Sequence, residues 1–465
     1  QINLVPLKSN EIRNLAIDSI WFISPVQLIN QPSSLCVRVH NYGEEDIENA
    51  TLSLKVSGIV KGIADMQIPA GGIVVDTLNF TVNDGAWQSG ELSVLDYPVT
   101  FDDIFYFTYQ PVAQLPVLCL NGDRPNTYLQ SLFASSQVFA YTDLPAAQIN
   151  VNTLDQYNLI ILNEVTTLSS GIADMLSSLL AKGISIVVIP SFNMDVPSIN
   201  QFLIANNAGT YNTTFSDSRR IVTTLNTAHV LLNEVYEKIP QNITLPIAEK
   251  SFTIYSSGRQ LNENILLFGD ETPFLASYSS GGGNIYLFAS PLQKTITDFP
   301  VQGGLFVPLF FRIALLSERN APLYTTIGKE QWIPVDVNSE SADAAFTVSG
   351  ANGEFIPGIR RSGNKVEMNV SPYSSSAGIY TIQNAANGQK LALNYDRSES
   401  DLQFYSEKEL QEMYSDPHIR ILSNASENIA GAVLQLNEGK ALWKICIILA
   451  LAFLAIEVLL IRFLP

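Results

Sequence analysis

The sequence predicts a multidomain α/β plus all-β chain that ends in a transmembrane helix, and three patterns predict it. Short alternating apolar runs between turn residues, which are typical of β-sandwiches, fill 15–111 and return in 320–402. Between them, continuous apolar runs alternate with amphipathic segments over 112–319, as in a parallel sheet covered on both faces. An apolar run of membrane-spanning length closes the chain at 441–464.

The composition indicates a folded chain with an acidic surface. The 465 residues suffice for about three domains, and 46% of them are hydrophobic against 15% charged, which excludes a disordered chain. The formal net charge of −18 repels phosphate groups. We therefore expect no nucleic-acid partner.

Cysteines and histidines do not form a metal or disulfide pattern. Cys36, Cys119 and Cys446 each lie in an apolar run, which predicts buried free thiols. Three scattered cysteines do not form a disulfide framework, and the three histidines lie far apart in the sequence. The sequence thus predicts neither a metal nor a cofactor.

The first β domain follows a predicted linker, 1–14. In "VRVHNYGEEDIENATLSLKV" two alternating runs flank Gly43, which predicts a hairpin. The segment "NYGEEDIENATL" also resembles the conserved turn of CARDB-type Ig-like domains of prokaryotic surface proteins. The resemblance implies an Ig-like β-sandwich that spaces or binds and does not catalyse.

The α/β domain alternates predicted strands and helices. The strands "LPVLCLN", "NLIILNEV" and "ISIVVIPS" are apolar throughout, and the helix "GIADMLSSLLAKG" carries one apolar stripe and stops at Gly183. This order predicts a flavodoxin-like sheet and resembles a class I glutamine amidotransferase-like domain. In that family a cysteine follows the central strand and His-Pro-Glu follows a late strand. The matching positions here are Ser191 and Ser290-Pro291-Leu292, so the resemblance implies a domain without the catalytic set.

Ligands of open α/β sheets bind at the carboxyl ends of the strands. Asn121, Asp123, Glu164 and Ser191 follow predicted strands, and they form our candidate binding edge. No glycine-rich phosphate motif accompanies them. We expect no catalytic residue here; the alternatives are a cryptic hydrolase or amidotransferase that uses Ser191, and a receptor for a glycan or a peptide.

The last β domain leads into a polar juxtamembrane segment, 403–440. The stretch "DRSES" (396–400) fits Asp-x-Ser-x-Ser, a divalent-metal motif of von Willebrand A-type domains. The motif needs a buried strand before it and a large domain after it, whereas "QKLALNYD" alternates and about 40 residues separate Ser400 from the apolar run. We expect Asp396 to bind no metal, and the stretch to meet solvent or to cap a helix that begins near Ser406.

The final apolar run predicts a membrane anchor. Ala441–Ile461 spans roughly 31 Å as a helix, which matches a bilayer core. Trp443 and Lys444 mark one interface and Arg462 the other. Glu457 lies near the end of the span, where it either reaches the interface or contacts another helix. We expect the large domains to lie outside the cytoplasm.

Four stretches match one family pattern: "IDSIWF", "DFPVQGGLFVPLFFRIAL", "NYDRSESDLQFYSEKEL" and "WKICIILALAFLAIEVLLIRF". Together they resemble the C-terminal portion of BatA-type membrane proteins, the aerotolerance-associated group of Bacteroidetes-like bacteria. The resemblance implies an inner-membrane protein with a periplasmic bulk and protein partners in the envelope, which serves stress tolerance or complex assembly. The family's N-terminal half, with a von Willebrand A-like domain, has no counterpart here, which predicts a longer product.

Overall fold

Three hydrophobic cores organise the structure, a computed structural model that is of mixed α/β class and consists mostly of strands. The described residues are 2–4, 13–97, 99–233, 235, 243–256, 262–318, 321–337, 345–351, 353–362, 365–370, 373–401, 405–414, 418–421 and 442–463. Most of the predicted juxtamembrane segment therefore lies outside the described residues. The predicted domain boundaries stay predictions. At two places, which are given below, side chains from one predicted domain pack into the core of another.

The first core belongs to a sandwich of two antiparallel sheets. Strand β1 is Ile2–Leu4, and the strands of the sandwich are β2 (Leu15–Phe22), β3 (Pro32–Asn41), β4 (Ile47–Val56), β5 (Ile59–Ile68), β6 (Ile73–Thr81), β7 (Gln88–Val94) and β8 (Ile104–Tyr109). The sheets have the orders β2-β3-β6 and β5-β4-β7-β8. Alternation drives this packing, because every second side chain of β4, among them Leu52 and Leu54, enters the core.

The predicted hairpin around Gly43 is wrong. Strand β3 pairs with β2 and β6, whereas β4 pairs with β5 and β7, so the chain crosses from one sheet to the other. Asn41 fixes this crossing: its Nδ2 donates to Glu45 O (2.8 Å) and Pro69 O (3.1 Å), and its Oδ1 accepts the Gly43 N–H at 2.9 Å. The side chain ties the turn to the corner between β5 and β6, which a local pattern does not reveal.

The second core surrounds a nine-stranded sheet with helices. Its strands are β9 (Leu115–Asn121), β10 (Phe139–Pro145), β11 (Leu159–Asn163), β12 (Ser185–Ile189), β14 (Arg220–Leu225), β15 (Ile247–Ala248), β17 (Asn262–Phe268), β18 (Pro273–Ser280) and β19 (Gly283–Phe288), and a separate pair joins β13 (Thr210–Tyr211) to β16 (Ile254–Tyr255). Its helices are α1 (Thr127–Ala134), α2 (Ser170–Ala181), α3 (Val196–Ala205) and α4 (Gly303–Leu315).

The sheet has the order β10-β9-β11-β12-β19-β18-β17-β14-β15. The first five strands pair in parallel and the others are antiparallel. Strands β11 and β12 are buried along their whole length, as continuous apolar runs predict. Val26 and Leu28 from the first domain also enter this core, so the first two domains share packing.

The third core holds two small sheets. Their strands are β20 (Thr325–Thr326), β21 (Trp332–Val335), β22 (Thr347–Gly350), β23 (Gly353–Phe355), β24 (Gly358–Ser362), β25 (Lys365–Asn369), β26 (Gly378–Gln383) and β27 (Lys390–Asn394), in the orders β20-β27-β26-β22-β23 and β21-β25-β24. Leu323 and Tyr324 pack instead against the core of the first sandwich.

Strand β27 is almost fully buried, so the half-exposed strand that its alternation predicted is wrong. The reason is a docked neighbour, because its last side chain bonds to β8 of the first domain. Asn394 Oδ1 accepts the Tyr106 N–H and Asn394 Nδ2 donates to Tyr106 O, each at 2.8 Å. A single amide thus pairs both backbone groups of an edge-strand residue.

Arg397 and Ser400 are buried against the first domain, whereas Ser398 and Glu399 are exposed, so the predicted exposure of this stretch to solvent is wrong only for its buried residues. Arg397 Nε donates to Ile17 O (3.1 Å) and Nη2 donates to Ile104 O (3.2 Å). Its guanidinium carbon lies 5.5 Å from the centre of the Phe105 ring. We call this set of contacts the Arg397 clasp.

Ser400 and Asp396 have separate partners. Ser400 Oγ donates to Asp102, and Asn14 Nδ2 donates to Ser400 O at 2.7 Å. The Ser398 N–H (3.0 Å) and Lys329 Nζ (2.9 Å) hold the pKa of Asp396 below its usual range. Asp396 therefore closes a short 3-10 turn.

The predicted helix start is confirmed, because helix α5 (Glu407–Met413) begins after Ser406. Ser406 and Glu409 form a reciprocal capping box.

A short strand that precedes the last helix in the chain pairs with the first described strand. Strand β28 (Ile419–Ile421) pairs in parallel with β1. Helix α6 (Trp443–Phe463) has 21 residues, and it is the one described helix that is long and apolar enough to cross a membrane. All of its described side chains are exposed, including Cys446, for which the sequence predicted burial. Lys444 Nζ lies 5.5 Å from the Trp443 ring.

We expect Arg397→Met to destabilise the chain by about 2–4 kcal/mol, because it leaves the Ile17 and Ile104 carbonyls buried without these donors. Thermal unfolding of the detergent-solubilised chain measures the loss. Glu399→Gln is the matched control, since Glu399 lies in the same turn but is exposed. Equal unfolding temperatures for the two variants would contradict the clasp.

Candidate functional site

The candidate site lies where the parallel sheet reverses its winding order. The connection that leaves β9 runs to β10 on one side, whereas its other neighbour, β11, continues to β12 in the opposite direction. Such switch points open a crevice at the carboxyl ends of the strands. Three of the four predicted edge residues lie at the ends of these strands: Asn121 is the last residue of β9, Asp123 follows β9, and Glu164 follows β11. The topology therefore brings them together as the sequence predicted.

A ladder of amides closes the floor of this crevice. Asn163 Nδ2 donates to Asn121 Oδ1 at 2.8 Å, and Asn121 Nδ2 donates to the Asp143 carboxylate. Asn126 Nδ2 lies 3.3 Å from Asn163 Oδ1, while its own Oδ1 caps helix α1. Asn121, Asn126 and Asn163 are all buried. Asn121 thus binds its neighbours in the protein and positions the strand ends.

Glu164 holds the most constrained position at the edge. Its φ of +52° is left-handed, which is uncommon for a residue with a side chain. Its carbonyl approaches Gly122 so closely that a Cβ on Gly122 would lie 2.1 Å from it. The Gln293 amide donates to its carboxylate. Backbone strain held in this way concentrates at functional sites.

The electrostatics of Glu164 follow from its half-buried position. Burial raises the pKa of Glu164, the hydrogen bond from Gln293 offsets part of that shift, and the nearby charge of Asp123 adds to it. Asp123 itself is exposed. Glu164, Gln293 and Asp123 thus present one constrained carboxylate, one amide and one solvated carboxylate, which suit hydrogen bonding to a partner.

Ser191 does not have the geometry of a nucleophile. It follows β12 and is buried, and its Oγ accepts the Asn193 N–H at 3.3 Å. Its φ is not positive, so the strained elbow that exposes a catalytic serine is not formed. Within the described residues, no His, Asp or Glu side chain hydrogen-bonds to it. Like Asn121, Ser191 therefore makes a contact within the protein and does not face the edge.

The residues at the positions of the family's His-Pro-Glu, Ser290-Pro291-Leu292, also contact neighbours within the protein. Ser290 Oγ donates to Lys250 O at 2.8 Å, and Leu292 O lies 3.5 Å from Asn126 Nδ2. Gln293, the next residue, supplies the contact to Glu164 that the sequence analysis missed. A polar residue after the late strand was the available signal.

A Ser-His-Glu group elsewhere in the sheet also escaped the sequence analysis. His229 Nε2 lies 3.2 Å from Ser277 Oγ and 3.3 Å from the Glu263 carboxylate. However, His229 Nδ1 accepts the Leu231 N–H at 3.1 Å, so Nε2 carries the proton in the neutral ring. Burial lowers the pKa of His229, against the charge of Glu263. The ring therefore donates at Nε2 and is not the base of a catalytic pair.

Within the described residues, no three His, Cys, Asp or Glu side chains are grouped to hold a metal ion. The edge as a whole offers hydrogen-bonding groups on a rigid floor.

Comparison with known proteins gives structural similarity only. No family model and no curated protein matches the sequence. A CARDB domain from Pyrococcus furiosus matches 23% of this chain with 100% of its own, at 15% identity and a TM-score of 0.21. A ThuA-like protein from Bacteroides uniformis matches 43% of this chain with 91% of its own, at 14% identity and a TM-score of 0.31. A cytoplasmic protein from Salmonella typhimurium matches 43% with 98% of its own, at 11% identity and a TM-score of 0.34.

The solved structures thus include CARDB domains and a ThuA-like protein. Neither sequence comparison finds a BatA-type protein, so that resemblance stays a prediction.

We expect Gly122→Ala to destabilise the switch point by about 3 kcal/mol or more, because its Cβ would overlap the Glu164 carbonyl. Gly171→Ala is the control: a Cβ there meets no atom within 4 Å, and the residue lies in helix α2. Thermal unfolding compares the two variants. A Gly122→Ala chain as stable as the control would show that Glu164 is not tightly held.

Proposed function

We propose that this chain is a non-catalytic, membrane-anchored envelope protein whose domains form a scaffold for protein partners. Helix α6 supports the anchor, because a bilayer gives its uniformly exposed apolar surface an environment. Trp443, Lys444 and Arg462 at its ends suit the two interfaces, and Glu457 lies within reach of one of them.

The Arg397 clasp is the observation that carries the scaffold. It joins residues about 290 to 380 positions apart in sequence, so the first and last β domains hold each other. An enzyme needs a reactive group, whereas a scaffold needs rigid surfaces at fixed spacing. The clasp and the shared packing of the first two domains supply that rigidity.

In this proposal the partner binds at the carboxyl ends of β9 and β11, where the sheet reverses its winding order. Asp123, Arg124, Phe192 and Asn193 are exposed there, around the constrained Glu164. Charged groups with one exposed ring are typical of a protein interface rim with an aromatic anchor. We infer a protein partner of the envelope for this edge, and place the domains on the periplasmic side of a bacterial inner membrane. A role in stress tolerance or complex assembly, as in BatA-type proteins, is part of the same proposal.

The anchor predicts that the full chain stays in membranes after an alkaline carbonate wash, whereas a chain that ends at residue 421 is released. Immunoblotting of pellet and supernatant measures this. Glu457→Gln is the matched control and should stay in the pellet, because it keeps the span intact. Release of the full chain would contradict a transmembrane α6.

The scaffold predicts that a photo-crosslinking residue at Phe192 captures an envelope protein in living cells. The same residue at Lys55, exposed on the outer face of β4, is the control and should give little product. Glu164→Gln combined with the Phe192 probe should weaken the product by about threefold or more, if the edge carries the contact. Equal products from both positions would contradict a specific edge.

A further inference from the structure

The loop that joins β7 to β8 buries acids and exposes apolar side chains. Tyr97 and Leu95 are 83% and 78% exposed, the largest fractions among the large hydrophobic side chains that the structure describes, and Phe101 is 41% exposed. Asp102 and Asp103, by contrast, are buried. A loop that faces water shows the opposite distribution, because apolar surface is costly to hydrate and carboxylates are costly to bury. We call Leu95, Tyr97 and Phe101 the apolar tip.

Hydrogen bonds hold two acids of this loop inward. Asp96 accepts the Leu15 N–H. Asp102 accepts from Ser400 Oγ, and its Oδ2 lies 3.3 Å from Asn14 Nδ2. The base of the loop is therefore fixed against the residues at which the first β domain begins and the last one ends. The exposure of the apolar tip follows from this arrangement, since the inner side of the loop is occupied by the acids.

The chain leaves for the membrane helix beside this loop. Ser400, which bonds to the loop, ends the last β domain, and the residues after it lead to α6. Strand β28 of that segment pairs with β1. Ten positions separate Leu4 of β1 from Asn14 at the loop, and such a chain spans at most about 36 Å. The bilayer that α6 enters is therefore within reach of the apolar tip.

The segment that leads to α6 exposes aromatic side chains as well. Tyr405, Met413 and Tyr414, in and around α5, are all exposed. The Phe101 ring lies 6.3 Å from the ring of Tyr395, which precedes this segment. Tyrosine is enriched where membrane meets water, because its ring is apolar and its hydroxyl group remains hydrated. The apolar tip and this segment thus share the residue types of a membrane interface.

We propose that the apolar tip inserts into the surface of the bilayer that α6 spans, among zwitterionic lipid headgroups. Anionic headgroups fit less well, because Glu399 and Asp401 are exposed beside the clasp and the chain carries a net charge of −18. The inference rests on the anchor of the proposed function and adds a second, peripheral contact. That contact fixes how the β domains stand on the membrane, and by itself it does not resist a carbonate wash.

A spin label at Tyr97→Cys tests this contact in the full chain, reconstituted in phosphatidylcholine bilayers. Cys446 is replaced by serine, and Cys36 and Cys119 are buried. The measurement compares collisions of the label with oxygen, which concentrates in lipid, and with a water-soluble nickel chelate. We expect the ratio of oxygen to nickel collisions to exceed that of an Ile63→Cys label by about fivefold or more.

Ile63 is the matched control, because it is an apolar residue of β5 that is also 65% exposed, in the same domain. A label at Phe101→Cys provides a second test. Its ratio should be raised in the native loop and should fall to about the value at Ile63 when Leu95→Asn and Tyr97→Asn remove the apolar tip. Both asparagines replace exposed side chains, so the fold is retained.

A label at Leu449→Cys, within α6, separates the inference from the anchor on which it rests. A lipid-exposed label at 449 together with equal ratios at 97 and 63 would overturn the membrane contact of the apolar tip and leave the anchor standing. A water-exposed label at 449 would overturn both. A label at 97 that is shielded from oxygen and nickel alike would show that protein covers the apolar tip, which also contradicts the proposal.

Discussion

The buried guanidinium of Arg397 connects the parts of this molecule. A charge taken out of water is costly unless hydrogen bonds and opposite charge replace the lost solvent. Here two backbone carbonyls, those of Ile17 and Ile104, accept its hydrogens, Phe105 lies near its face, and Asp102 supplies negative charge. The desolvation is compensated only when the first and last β domains are docked. The interaction therefore favours one arrangement of the two domains.

This docking has a consequence for the α/β domain. It is inserted between two β domains that contact each other, and Val26 and Leu28 of the first domain also enter its core. The pairing of β1 with β28 brings the beginning of the chain beside the segment that precedes α6. Domains linked only by their connections move independently by default. The contacts among the three domains and the pairing of β1 with β28 restrict that independent motion. A scaffold requires such a restriction.

Local patterns predicted the elements that apolar periodicity and length identify without reference to a partner. Strands β11 and β12, helix α2 with its stop at Gly183, and α6 all follow from apolar periodicity and length. The hairpin at Gly43 failed because β3 pairs with β6, so the turn joins two sheets. Periodicity reports which side chains are buried but not which strand lies beside them.

In the candidate site, too, local patterns did not identify partners that are distant in sequence. Strand-end positions were enough to place Asn121, Asp123 and Glu164 at one edge, because parallel strands bring their ends together. Gln293 contributes to this edge from about 130 positions away; its place after the late strand was a signal, but no local pattern indicates that it bonds to Glu164. Arg397 was misjudged for a related reason: a charged residue in a polar stretch is usually solvated, and only distant carbonyls make its burial possible.

The central claim is that the first and last β domains form one unit. Electron–electron resonance between spin labels at Lys55 and Gln383 measures it directly, since both positions are exposed and lie on different domains. Cys446 is replaced by serine for this purpose, and Cys36 and Cys119 are buried. We expect a single narrow distance distribution, because the clasp favours one arrangement of the two domains. A broad or multiple distribution would contradict the claim.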